Sequence, residues 1–383
     1  AERTADAEIK LSQLIYSERS WSGFDVARLL KEAEDTLFQS RVLDVMSQSA
    51  TAYLQVLLAR ATEQVRAANL KVSETNLELA LMRLKIGYSD RSEVLRWKSV
   101  IATDRSALYI AQADKNLKST ELKRLLHLPL NALIAVTDDG ISSQMNMLEN
   151  DKFNRFFDNS VNFDRYVGFE VARALDNAPE LKQIDYLLQS ANRQLDAGKR
   201  AYYVPDISMN ARFGQNIEQG GNGAQNNNLQ NDNWTVGFQA SLPLLTGGAR
   251  SSEVSRASHT IIQNQYQRQN IQEVIEARVR SALQKTQGSF PSVRLTRDAA
   301  VAAKENFTLV SDTYAKGLIS ITSLIDAQNA VLSADLSAVE ALYSFMIDWV
   351  EIQRSTANFD LLLFEKGIDN WYQELDSYYQ NGH

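Results

Sequence analysis

The sequence predicts a mostly α-helical chain with a small β part, built from two structural repeats. Three observations carry this. Proline and glycine are scarce, five and sixteen among 383 residues, so long uninterrupted elements are expected. Short segments alternate apolar and polar residues with period two, the signature of strands with one apolar face. An offset of 230 carries Leu14 onto Leu244, Gly87 onto Gly317 and Val94-Leu95 onto Leu324-Ile325. Residue identity between the copies is low, so the repeat rests on preserved spacing of the punctuation.

The first repeat occupies 1–130. A strand-like run at its start sets Ile9 and Leu11 against Lys10 and Ser12. A long helix follows from Gly23 to Ile86, about 95 Å at 1.5 Å per residue. Its seam Val65, Ala68, Val72, Thr75, Leu79, Met82, Ile86 steps by three and four, as in a coiled coil. Gly87-Tyr88-Ser89-Asp90 breaks it, and a return helix runs from Ser92 to Leu126, before Pro129.

Residues 131–200 are mixed. They hold a turn signal at Asp138-Asp139-Gly140, an aromatic cluster (Phe153, Phe156, Phe157, Phe163, Tyr166, Phe169) and a helix from Ala178 to Gly198 with Pro179 in its first turn. The second repeat, 201–364, opens with a hairpin. Ile207, Met209, Ala211 and Phe213 line one face of its first strand, and Trp234, Val236, Phe238, Ala240 and Leu242 one face of its second. The loop between is rich in Gly, Asn and Gln. A long helix from Ala249 to Lys316, disturbed near Gly288 and Pro291, meets Gly317 and returns from Thr322 to Phe364. The stripe Leu324, Ala327, Val331, Ala334, Ala338, Ala341, Phe345 offers small side chains for close helix packing. Residues 365–383 read as a loose, aromatic-rich tail.

Composition excludes several functions. Lys+Arg 40 against Asp+Glu 47, with no basic run, is a poor match to nucleic acid. The absence of cysteine removes disulfides, zinc–thiolate sites and thiol nucleophiles. His127, His259 and His383 are scattered, and no G-x-S-x-G, H-E-x-x-H or phosphate-cradling loop is present, so no enzyme activity and no cofactor or metal is expected. Gly220-Gly221-Asn222-Gly223 has no helix after it and is not a nucleotide loop. No run reaches the ~18–20 consecutive apolar residues of a spanning helix, and Ala1–Lys10 lacks the apolar segment of a secretory signal. A β-barrel escapes such scans. An apolar strand face needs lipid or a core, strands in lipid must close, and three or four strands cannot close a pore alone. Several chains must therefore contribute, with Tyr202, Tyr203 and Trp234 as interface aromatics. A soluble coiled-coil scaffold is the alternative from the same pattern.

Three segments are similar to the TolC-like outer-membrane efflux (outer-membrane factor) family. Tyr314-Ala315-Lys316-Gly317-Leu318-Ile319-Ser320-Ile321-Thr322-Ser323-Leu324-Ile325-Asp326-Ala327-Gln328 resembles the family's helix-tip turn. Tyr203-Val204-Pro205-Asp206-Ile207 resembles the entry into a barrel strand, and Ala240-Ser241-Leu242-Pro243-Leu244-Leu245-Thr246-Gly247-Gly248-Ala249-Arg250 the exit into the long helix. The resemblance runs from about Ile9 to Asp360. It implies a homotrimeric outer-membrane β-barrel continued by a long periplasmic α-helical barrel, in contact with outer-membrane lipid. It further implies a passive exit duct of a tripartite efflux pump or type I secretion system. The energy would come from an inner-membrane transporter, ABC or proton-driven, docked through a periplasmic adaptor (membrane fusion) protein. The family pattern carries a further helix and strand before the first barrel exit, so the chain here would be a processed or partial form, or that strand and helix come from elsewhere.

By the same resemblance, residue by residue, Asp326 matches an acidic pore position just after the second tip, where a ring of carboxylates would favour cations. Ser323 stands at the other such position and supplies no charge. Tyr314 and Glu93 match the positions of a link that holds the tips closed, while the family's nearby arginine is Ile319 here. The tips themselves, Gly87 and Tyr88 in one repeat and Gly317, Leu318 and Ile319 in the other, are the expected adaptor-docking surface.

Overall fold

The computed structural model describes residues 3–134, 136, 160–220, 232–359, 371, 373–375, 377 and 378. The turn at Asp138-Asp139-Gly140, the aromatics Phe153, Phe156 and Phe157, and most of the Gly220–Gly223 loop lie outside them. The elements run β1 (Arg3–Tyr16), α1 (Glu18–Lys85), α2 (Arg91–Leu125), α3 (Ser160–Asn177), α4 (Pro179–Arg200), β2 (Asp206–Gly220), β3 (Asp232–Ser241), α5 (Ala249–Ala315) and α6 (Ile321–Ser355). The chain divides into two compact units, Ala1–Gln39 with Pro179–Gln272, and Ser40–Ala178 with Glu273–His383.

The first unit holds an antiparallel sheet in the order β1-β2-β3. Its register aligns Ile9 with Phe213 and Leu11 with Ala211, and then Phe213 with Trp234, Ala211 with Val236 and Met209 with Phe238. One face is thus apolar across all three strands, and Ile9, Leu11, Phe213, Trp234, Val236 and Phe238 on it are exposed. The opposite face is polar. There Glu8 pairs with Arg212 and, at 2.9 Å, with Lys10, and Ser12 donates to Asn210 at 2.9 Å. Where β1 passes into α1, Arg193 of α4 clamps the chain, with Nη1 2.6 Å from Glu18 Oε1 and Nε 2.8 Å from Asp25 Oδ2.

In the second unit α1, α2, α5 and α6 share one core. Ala80, Val94, Trp97, Tyr314 and Leu324, from all four helices, form a buried cluster near the two turns. The helices obey the 230 spacing: α2 and α6 start and stop at equivalent positions, and so do the C-terminal ends of α1 and α5. Both return helices end in a left-handed residue, His127 at φ 53° and Ala357 at φ 54°.

Four expectations need correction. The seam predicted for α1 is not the buried one: Ala68, Thr75, Met82 and Ile86 are exposed, whereas Leu70, Ser73, Asn76 and Ala80 are buried. Polar side chains can occupy that face because Gln328 of α6 satisfies them. Helix α6 stops at Ser355 rather than Phe364, because the Asn358 amide folds back onto the Gln353 carbonyl at 3.0 Å. Helix α5 passes Gly288 and Pro291 without interruption, held there by Phe290 packed on Phe345 with ring centroids 5.6 Å apart. Within the expected loose tail, Trp371 and Leu375 are buried. Trp371 meets Tyr166 and Phe169 edge-on at 5.9 and 6.2 Å, and its Nε1 donates to Glu170 Oε1 at 2.8 Å.

Helix α6 also contains an 18-residue window of mean hydropathy 1.4, long and apolar enough to cross a membrane by length and composition. The window is rich in alanine and broken by polar residues, which is why no unbroken apolar run was legible there.

Candidate gate and docking tips

Each tip is a helix closed by a glycine. Gly87 and Gly317 take φ of 78° and 76°, which a Cβ would resist. In the first turn the amides of Gly87 and Tyr88 donate to the carbonyls of Leu84 and Arg83; in the second those of Gly317 and Leu318 donate to Tyr314 and Thr313. These are Schellman-type caps that satisfy otherwise orphaned carbonyls. The return helices then start on side-chain caps. Asp90 Oδ1 accepts from the Ser92 and Glu93 amides at 2.7 and 3.2 Å, and Ser320 Oγ from the Ser323 amide at 3.3 Å.

Of the tip residues named from sequence, Gly87, Tyr88, Gly317 and Leu318 are exposed, Tyr88 and Leu318 at 77% and 73%. Ile319 is not: it packs against the buried cluster, as does Ile321. The exposed apolar set is therefore Ile86, Tyr88 and Leu318.

Tyr314 and Glu93 come together as the sequence suggested, the phenol donating to Glu93 Oε1. Tyr314 is almost fully buried. Burial first, and the bond and charge of Glu93 after it, push its phenol far above the ordinary tyrosine value, so the hydroxyl keeps its proton as a donor. The second partner was missed by sequence reasoning. Arg83 Nη1 donates to the Tyr314 carbonyl at 2.6 Å, and its guanidinium carbon stands 4.6 Å from the Tyr314 ring centroid. A third link joins Arg96 Nη1 to Thr322 Oγ1 at 2.6 Å. Asp326 and Ser323 are both exposed, on the side of α6 away from the buried Leu324, Ala327 and Gln328.

About two turns further along the helices lies a polar knot with no motif to betray it. Gln328 Nε2 donates to Asn69 Oδ1 at 3.0 Å and to Ser73 Oγ at 2.6 Å, while its Oε1 accepts from Asn76 Nδ2 at 3.1 Å. Ser73 Oγ in turn donates to Asp104 Oδ2 at 2.6 Å. Both amides thus find complementary partners inside a helical core, as buried polar groups must.

The family model described as outer membrane efflux protein matches residues 171–358. The outer membrane efflux protein BepC of Brucella suis biovar 1 is 20% identical over 351 residues, spanning 90% of this chain and 70% of BepC. The chain thus resembles the outer membrane efflux proteins over most of its length, and its residues 171–358 match their family model. This similarity places it in the bacterial outer membrane, in place of the soluble-scaffold alternative. The alkaline protease secretion protein AprF of Pseudomonas aeruginosa is similarly related, 20% identical over 346 residues, 90% of this chain and 68% of AprF. The crystal structure of the outer membrane protein VceC from Vibrio cholerae has the same fold, with a TM-score of 0.68, 15% identity, and coverage of 94% of this chain and 87% of that one.

Proposed function

We propose that this chain is an outer membrane efflux protein and one subunit of a homotrimeric channel, each chain carrying two repeats. Each subunit would lend its strands to a shared barrel in outer-membrane lipid and its helices to a periplasmic tube. The open sheet carries the reading. Three strands with one continuous exposed apolar face cannot close on themselves, and in lipid their edge groups must be paired by other strands. The outward stripe of α1 and the alanine-rich surface of α6 supply the packing surfaces that neighbouring helices of a tube need. Transport is passive. The duct serves a tripartite efflux pump or a type I secretion system, a reading supported by the words efflux in the name of BepC and alkaline protease secretion in that of AprF. An inner-membrane transporter and a periplasmic adaptor engage it at the exposed tips, and Tyr314, Glu93, Asp326 and Ser323 form the constriction.

Light scattering of the detergent-purified protein tests the assembly: a trimer is expected, and a monodisperse monomer overturns the channel reading. Tyr88→Asp and Leu318→Asp should abolish export without lowering trimer yield. Normal export by both variants moves the docking site elsewhere.

A further inference from the structure

The face of α6 that carries Gln328 is otherwise built largely from small side chains: Leu324 and Ala327 are buried there, and Val331, Ala334 and Ala338 continue it half-buried. Such a surface discriminates poorly between registers, because a slip of one turn, about 5.4 Å, exchanges one alanine methyl for another and changes little buried area. The Gln328 knot does discriminate. Ser73, Asn76, Asp104 and Gln328 are buried; the three bonds of Gln328 fix α6 against α1 at one height only, and Ser73 ties that point of α1 to Asp104 of α2. After a slip, the buried amides of Gln328 and Asn76 would lose their partners, at about 1–3 kcal/mol per group. A single buried polar residue in an otherwise apolar helix seam commonly sets register in this way.

We propose that Gln328 is the register pin of α6, a positioning residue that sets the height and facing of Asp326 and Ser323. The geometry is direct. Two residues along a helix rotate the side chain by about 200°. Turning Gln328 toward α1 therefore turns Asp326 to the opposite, exposed side. The positioning claim rests on the constriction reading of Asp326, whereas the register claim stands on the knot alone.

The chain contains no cysteine, so spin labels at Lys85→Cys on α1 and Ser337→Cys on α6 report their separation cleanly by pulsed dipolar EPR in protein diluted with unlabelled chain. The parent should give one narrow distance. Gln328→Leu should add a population displaced by about 5 Å, one helical turn. In single-channel recordings Gln328→Leu should weaken block by a multivalent cation as Asp326→Ala does, although Asp326 is still present. A single unshifted distance in Gln328→Leu overturns the pin. A shifted distance with parent-like block, where Asp326→Ala does weaken block, overturns the positioning role. If Asp326→Ala itself leaves block unchanged, the constriction reading falls and takes the positioning claim with it, while the distance still decides the register claim. Should Gln328→Leu fail to assemble, Ser73→Ala and Asn76→Ala each remove part of the knot. Graded broadening of the distance is then expected, and parent-like distances in both overturn the pin.

Discussion

Arg83 holds Tyr314 twice, through a 2.6 Å bond from Nη1 to its carbonyl oxygen and through its guanidinium carbon 4.6 Å from the ring centroid. The two contacts tie the end of α1 to the end of α5, one from each hairpin. A lysine could supply the charge but not the planar fork that reaches both. Arg83→Lys should therefore raise the open probability in single-channel recordings and lower the stability of the tip by about 1–2 kcal/mol. A variant with parent-like gating would mean that Glu93 alone carries the link.

The Tyr314 phenol, pushed up by burial and then by Glu93, keeps its proton after an unfolded chain's tyrosine has lost it. Its contribution to stability is complete below pH ~10 and is lost progressively as pH rises above that value. Thermal unfolding followed from pH 8 to 11 should thus show a steeper alkaline loss for the parent than for Tyr314→Phe. Parallel curves would show that the phenol is not specially protected. At neutral pH the link is insensitive to the phenol's titration, so any neutral-range gating must come from another group.

Much of this molecule was legible in the sequence because its punctuation is chemical. Glycines at 87 and 317 impose the tips, and the alternation around Ile9, Met209 and Phe238 imposes strands with one apolar face. What escaped was decided by tertiary partners. The apolar residues of α1 form a better seam on paper than Ser73 and Asn76 do, yet the polar pair is buried because Gln328, 252 and 255 residues away, completes it. Arg83 was invisible for a similar reason: its partner is a backbone carbonyl, which no motif marks. The end of α6 carries neither glycine nor proline, so nothing local announced it.

That unmarked stop has a measurable cost. Ala357 sits at φ 54°, where a Cβ crowds the following carbonyl at about 1–2 kcal/mol. Ala357→Gly should relieve part of this and stabilise the protein by about 0.5–1 kcal/mol, read as a higher Tm. His127→Gly, at the equivalent turn with φ 53°, should act in the same direction. A fall in Tm in both would mean that the side chains contribute packing that outweighs the strain.

Glu170 lies fully buried beneath the C-terminal segment, accepting from Trp371 with Arg173 Nη1 3.7 Å away. Burial pushes its carboxyl above the ordinary value, more than the arginine draws it down. A carboxyl raised in the folded state adds stability when protonated and loses it as pH rises from the unfolded value through the folded one. Glu170→Gln keeps an acceptor for Trp371 without the charge. It should be at least as stable as the parent at pH 7 and less stable relative to it at pH 4. A large loss at pH 7 would show that the Arg173 pair outweighs desolvation.

Asp326 and Ser323 stand three residues apart on the exposed side of α6, close enough in a threefold ring to act on one ion. Three Asp326 carboxylates around a constriction would attract cations and favour block by multivalent ones. Asp326→Ala should accordingly lower cation selectivity in planar-bilayer recordings. Ser323→Asp supplies a second acid one turn nearer the tip, where it also faces the amide end of α6, a place that stabilises negative charge. It should strengthen multivalent-cation block beyond the parent's, and more so at low salt, because screening over a Debye length of ~10 Å at 0.1 M weakens the ring's reach. The tip should tolerate it, since the cap bond runs from the Ser323 amide to Ser320 Oγ, and a carboxylate at this position can still accept from the Ser320 hydroxyl, which the Ser323 hydroxyl meets at 3.3 Å. If neither substitution changes selectivity, both side chains lie outside the conduction path and the narrowest point of the channel is set by other residues.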